Sequence, residues 1–399
     1  MRLFALPAVL AATLALAGPA TAQTRGPDVA DWPAVLAAAE GQTVDWYAWG
    51  GETHINDYIA WVGDEVAARY GVTLNQVKLA DTAEAVARVL AEKTAGENED
   101  GAVDLVWING ENFVAMQENG LLRPDPWAEA LPNRPLVDMD LYGAAIDRDF
   151  GVSVKGQESP WGRAQLVTVF DAARTPEPPR SLDELIAFAE ANPGRFTYPQ
   201  PPNFTGTTFL KQLLLDLVPD REILYAPAGD GAETLVRDTL IPVLQRLHPN
   251  LWRKGAAFPA GVAEVRRLYA DGELLLALTG NPSDAVAGVN DGLLPPESRV
   301  AAFAGGSIGN VHFVAIPFNA ADQAGALVVA NFLLSPEAQA RKADPDVWGD
   351  PTVLAVARLP EADRALFDEE VGVDAPTLAE PHVSWTAVIE RVWDEAFLR

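Results

Sequence analysis

One pentapeptide in this chain has the spacing of an enzyme nucleophile. Gly305-Gly306-Ser307-Ile308-Gly309 fits G-x-S-x-G. Such a serine needs a strand before it and a helix directly after it, so that its hydroxyl stands exposed beside free N–H groups. The residues that follow, Asn310-Val311-His312-Phe313-Val314, read as a strand instead. A secreted serine hydrolase using Ser307 is therefore the weaker alternative, and a ligand-contacting turn the better reading. The histidines at 54, 248, 312 and 382 are scattered without ligand spacing, and the chain has no cysteine. Zinc, iron and thiolate chemistry lack their residues. There is no phosphate loop ending in Lys-Ser/Thr and no G-x-G-x-x-G after a strand. The sequence gives no catalytic residue, no metal and no cofactor.

What remains is a set of loops at the carboxyl ends of strands. They are Trp49-Gly50-Gly51, Asn109-Gly110-Glu111-Asn112, Asn203-Phe204-Thr205-Gly206 and Asn281-Pro282-Ser283-Asp284. In open parallel sheets, ligands bind in the crevice outside those ends. The helix starts there also present free N–H groups to polar ligand atoms. Ser159 and Ser307 flank the same crevice, where the chain crosses between its halves. Trp49 and Trp161, with Phe204 opposite, offer faces to a cation. Glu52, Glu111, Glu158 and Asp284 offer negative charge. Each tryptophan also reads as a core residue, and each acid as a helix-start residue favoured by the dipole. An anion is the competing ligand, served by Arg163, the helix start at Thr205-Gly206 and, more weakly, Lys155. The balance favours a small organic cation, thiamine-like or polyamine-like.

Alternating strands and helices must position these loops, which predicts an α/β architecture. Residues 43–49, 72–79 and 103–108 read as strands, each followed by a helix. The second series begins with a strand over 164–170. Ser181-Leu182-Asp183-Glu184 is a capping box that opens a helix stopped by Asn192-Pro193-Gly194. Asn281 reads as an N-cap with Pro282 at the first helical position. Two lobes are expected, each a mostly parallel sheet flanked by helices. The first comprises 24–160 plus 312–399 with the C-terminal helices, and the second 161–311. Strands near Ser159–Arg163 and Ser307–His312 would act as hinges.

The chain begins with Arg2, an apolar run from Leu3 to Ala17, and Ala20-Thr21-Ala22 before Gln23. This is the pattern of a secretory signal peptide cleaved after Ala22, so residues 1–22 are expected to be lost and the protein to be periplasmic. The net charge of −27 leaves no basic face for nucleic acid or anionic membrane. The 399 residues exceed what one core normally serves.

The segments AWGG at 48–51, VDLVWINGENF at 103–113, ESPWGRAQL at 158–166, RFTYPQPPNFTG at 195–206 and ANFLLSPEAQARKADPDVWGDPTVL at 330–354 carry a resemblance. The chain resembles bacterial extracellular solute-binding proteins of ABC importers, of the type II periplasmic-binding fold, and within them the YnjB-type branch. The resemblance implies a solute clamped between two lobes and delivered to permease subunits by a monomer without catalysis. A ligand sensor for a membrane receptor would use the same lobes.

Overall fold

In the computed structural model, residues 26–367 and 372–398 are described. The expected signal peptide and its cleavage site lie outside them. Thr43–Trp49 forms the first strand, its alternation burying Val44, Trp46 and Ala48. Gly50-Gly51 turns the chain into the helix Thr53–Tyr70. Gly71 closes that helix at φ 68°, a left-handed conformation open to glycine. Thr73–Leu79 and Leu105–Ile108 pair in parallel on either side of the first strand. Between them, the Asp81 carboxylate accepts from the Ala83 N–H and Glu84 accepts from the Asp81 N–H, the capping arrangement that opens the helix Ala83–Ala95.

Two long strands carry the chain between its halves. Glu158–Gln165 and Ser307–Ala315 pair antiparallel from Ala315 opposite Glu158 to Gly309 opposite Gln165. Ser307–Ala315 also pairs antiparallel with Leu105–Ile108, so both belong to the first, six-stranded sheet. Leu166 breaks the outgoing strand. Val167–Asp171 then forms the centre of a separate three-stranded sheet, between Leu276–Thr279 and Ser298–Ala301.

Three expectations change. The strand read over 164–170 is two strands in two sheets. The second sheet is antiparallel in both pairings. One cause is traffic: the chain enters that sheet by Val167–Asp171 and leaves it by the adjacent Ser298–Ala301, which must then run the opposite way. Finally, 312–399 does not stay with the first lobe. The helix Ser384–Phe397 packs Trp385, Ile389, Val392 and Trp393 into the second core, beside Phe209, Leu213, Val236 and Leu240. Its apolar stripe needs a complementary helical face and finds it on Ala232–Leu247.

The first core gathers residues from 29–154, Trp161 and 311–359. The second covers one face of the small sheet through Phe170, Leu276 and Leu278. A third, smaller cluster covers the other face through Val169 and Ala277, as period-two alternation requires.

Candidate functional site

Contacts between the halves run beside the strand-end loops: Arg266 lies 3.8 Å from Glu52, and Phe204 lies 6.2 Å from Phe150. Trp49 lies over Gly51, where a Cβ would sit 2.2 Å from the indole and displace it. The Gly50 carbonyl accepts from the Asn56 side-chain amide at 3.1 Å. Asn109 is the extended N-cap residue of the helix Gly110–Glu118, whose first two turns hold Glu111 and Asn112. Asn203 caps the helix Phe204–Leu217, accepting from the N–H groups of Thr205 at 3.1 Å and Gly206 at 3.3 Å. That helix start, offered above to an anion, is already satisfied. Arg163 is engaged too: its Nε donates to the Thr352 carbonyl at 2.7 Å, and its guanidinium lies 4.3 Å from the Tyr142 ring centre.

Three candidates sit differently from the expectation. Asn281 precedes the cap. The helix is Asp284–Asn290 with Ser283 before it, and Asn281 forms a turn by accepting from the Ser283 N–H while its amide donates to the Trp348 carbonyl at 3.1 Å. Trp161 is fully buried among Trp46, Tyr58, Trp107 and Trp348, so its faces are unavailable to a ligand. The apolar pull of that cluster, about 1.5–3 kcal/mol per large side chain, outweighs exposure at a cleft. Ser307 begins the strand Ser307–Ala315 and donates to the buried Leu166 carbonyl. No helix follows it, so the nucleophile elbow is not built on this serine. Ser159 is wholly buried with its hydroxyl unpartnered.

At the heart of the junction is a carboxyl cluster. A hairpin turn at Phe150-Gly151, with φ 44° and 81°, projects from the first lobe. Asp149 accepts from the Gly110 N–H. Phe150 packs 6.2 Å from Phe204 of the second lobe, and Lys211 sits 4.4 Å over its ring. Lys211 pairs with Glu380 at 3.4 Å, and Glu380 accepts from Asn310 at 3.2 Å. Glu390 accepts from Thr207 at 2.8 Å. The charges of Glu111 and Glu380 act on Asp149, that of Glu111 also on Glu380 and Glu390, and that of Asp149 on Glu158. Burial pushes the carboxyls of Asp149 and Glu158 well above the usual carboxylate range, and Glu158 rises further beside Asp149. Burial also raises Glu380 against the pull of Lys211, and raises Glu390. Glu158 is 2% exposed, and neither of its carboxyl oxygens has a hydrogen-bond partner; one oxygen of Glu111 is likewise buried and unpartnered.

A second charged group spans the same junction at its rim. Arg266 lies 3.3 Å from Asp284 and 3.8 Å from Glu52, and His54 lies 3.5 Å from Glu52 and 3.8 Å from Asp291. Glu52, His54, Arg266 and Asp291 border a cavity of about 760 Å³ lined also by Asp57, Arg341 and Asp346. Burial raises Asp284 to about 6, with Arg266 opposing the rise. In Arg266→Ala the Asp284 titration midpoint, read from its carboxyl carbon resonance, should move above about 6. An unmoved midpoint would mean that this pair has no electrostatic coupling.

The crossing strands are anchored by a buried triad. The Asp350 carboxylate meets Lys342 and, at 3.0 Å, His312, beneath Trp107, Trp161 and Trp348. Gly162 is required there, since a Cβ would lie 2.0 Å from the imidazole. Sequence reasoning missed Asp149, Phe150, Lys211, Glu380, Arg266, Lys342 and Asp350. Lys211 did carry a signal: it interrupts the apolar run Phe209–Leu215, where a charge implies a buried partner.

Residues 61–367 match the family model described as bacterial extracellular solute-binding protein. Protein YnjB of Escherichia coli (strain K12) is 47% identical over 364 residues, which is 91% of this chain and 93% of that protein. Among solved structures, the periplasmic binding protein AfuA of Actinobacillus pleuropneumoniae, with fructose-6-phosphate bound, superposes with a TM-score of 0.62 at 14% identity, covering 90% of this chain and 99% of AfuA. The spermidine/putrescine ABC transporter substrate-binding protein PotD of Streptococcus pneumoniae superposes at 0.59 and 15% identity, covering 90% and 99%. The two-lobed plan is therefore the type II periplasmic-binding fold, and the chain belongs to the bacterial extracellular solute-binding protein family.

Proposed function

We propose that this protein captures a small organic cation between its lobes in the periplasm and delivers it to the permease of an ABC importer, without chemistry of its own. The observation that carries this reading is the imbalance of charge at the junction. Lys211 faces Asp149, Glu380 and Glu390, Glu111 adds negative charge to all three, and Glu158 stands beside Asp149, so among the described residues of this cluster five carboxyls meet one ammonium. Buried carboxylates without countercharge are costly, and a cation supplied by the ligand removes that cost. The fold itself is neutral on the question, since AfuA holds a sugar phosphate and PotD is a spermidine/putrescine protein.

The first lobe in this proposal is 26–165 with 307 to about 360, and the second is 166–306 with the C-terminal helix. The crossing strands form a long ladder held in the first sheet. The backbone change would therefore fall at Leu166 and at 302–306, where the chain passes between sheets. Ligand shifts the open–closed equilibrium by its preference for the closed form. A thermal-shift screen followed by solution scattering tests this. A bound cation at about 100 times its Kd should add about 2.7 kcal/mol of stability, and the radius of gyration should fall. Stabilisation by anions alone would reverse the charge assignment.

A further inference from the structure

The acceptors at the junction specify more than positive charge. Both oxygens of Glu158 and one of Glu111 are buried and lack a donor. Lys211, the ammonium in the cluster, reaches Glu380 at 3.4 Å and already covers the Phe150 ring. Once a bound cation has ionised them, these carboxylate oxygens are acceptors only, so each takes an N–H or O–H from the ligand. A quaternary ammonium brings charge but no donor on its nitrogen, and is held instead by aromatic faces. The faces offered above are engaged: Trp161 is sealed in the first core, Trp49 lies against Gly51, and Phe204 packs 6.2 Å from Phe150, whose ring Lys211 covers. Among the described residues, no group of three or more histidine, aspartate or glutamate side chains is placed to hold a metal ion.

We infer that the solute is an N–H-bearing cation, a protonated amine or guanidine, held by hydrogen bonds to Glu158 and Glu111 rather than a quaternary ammonium held on aromatic rings. This rests on the organic-cation reading above and narrows it to one donor chemistry. Charge-assisted N–H bonds to carboxylate are short and directional, so they discriminate between cations of equal charge.

The test is isothermal titration of the full mature chain with three probes: 1,4-diaminobutane, its fully N-methylated bis-quaternary counterpart, and citrate. The diamine should bind, and the quaternary compound should bind at least tenfold more weakly. Glu158→Gln should weaken diamine binding at least tenfold with an unchanged unfolding midpoint, because an amide replaces a buried carboxyl of the same shape. Glu111→Gln is the second variant should the first fail to fold. Quaternary binding equal to or tighter than diamine binding overturns this inference and leaves the organic-cation reading standing. Unchanged diamine affinity in both variants overturns it as well. Silence toward both cations, with or without heat from citrate, overturns both readings.

Discussion

Asp350→Asn should destabilise the first lobe by about 3–5 kcal/mol, the cost of removing one partner from a buried ion pair. Lys342 has no solvent exposure, and its ammonium meets the Asp350 carboxylate together with the carbonyls of Asp350 and Pro351. The amide would leave that charge buried without its countercharge, and would weaken the bond to His312 as well. Chemical denaturation followed by tryptophan fluorescence reads the effect, since Trp107, Trp161 and Trp348 surround the triad. Replacing Lys342 and Asp350 together by apolar residues of similar volume should recover most of the loss. The pH dependence has a definite sign. Burial alone would raise Asp350, but His312 and Lys342 outweigh it and hold the carboxyl below the usual range. Its contribution is therefore present above the unfolded carboxylate pKa of about 3.9 and is lost as pH falls through the lower folded value. A midpoint within error of the parent protein would show that the triad does not hold the crossing strands.

Ligand capture should expel protons, and affinity should fall on acidification. Asp149 and Glu158 lie in the opposite regime from Asp350. Burial raises both, so in the ligand-free chain they keep protons at pH values where an unfolded chain has lost them. Two consequences share that origin. The stability these groups contribute is complete below the unfolded carboxylate pKa and is lost as pH rises through the folded values. A cation placed beside them favours the ionised form and lowers both pKa values, so binding releases protons. The association constant should then rise with pH by up to about tenfold per unit for each proton released. Titration calorimetry in two buffers of different ionisation enthalpy counts those protons directly. Affinity that stays flat between about pH 5 and 8, with equal heats in both buffers, would detach the carboxyl cluster from the ligand. In Glu158→Gln the remaining release should come from Asp149 and its neighbours alone.

The local elements were legible because short-range rules decide them. The alternation of Thr43–Trp49, the left-handed stop at Gly71 and the capping pattern of Asp81 with Glu84 each depend on neighbours a few residues away. The absence of a helix after Ser307 was readable for the same reason. The long segments that resemble solute-binding proteins gave the two-lobed plan.

Only the tertiary structure decided which side chains share a site. Trp161 and Glu158 are three residues apart on one strand, yet one is sealed into the first core and the other meets the carboxyl cluster. Asp149, Lys211 and Glu380 belong to segments remote in sequence, brought together by a hairpin, a helix and the returning tail. The C-terminal helix chose the second core because the complementary apolar face of Ala232–Leu247 lies there, far away along the chain. Backbone propensity acts over one or two turns, whereas burial and charge pairing depend on distances that chain closure alone sets.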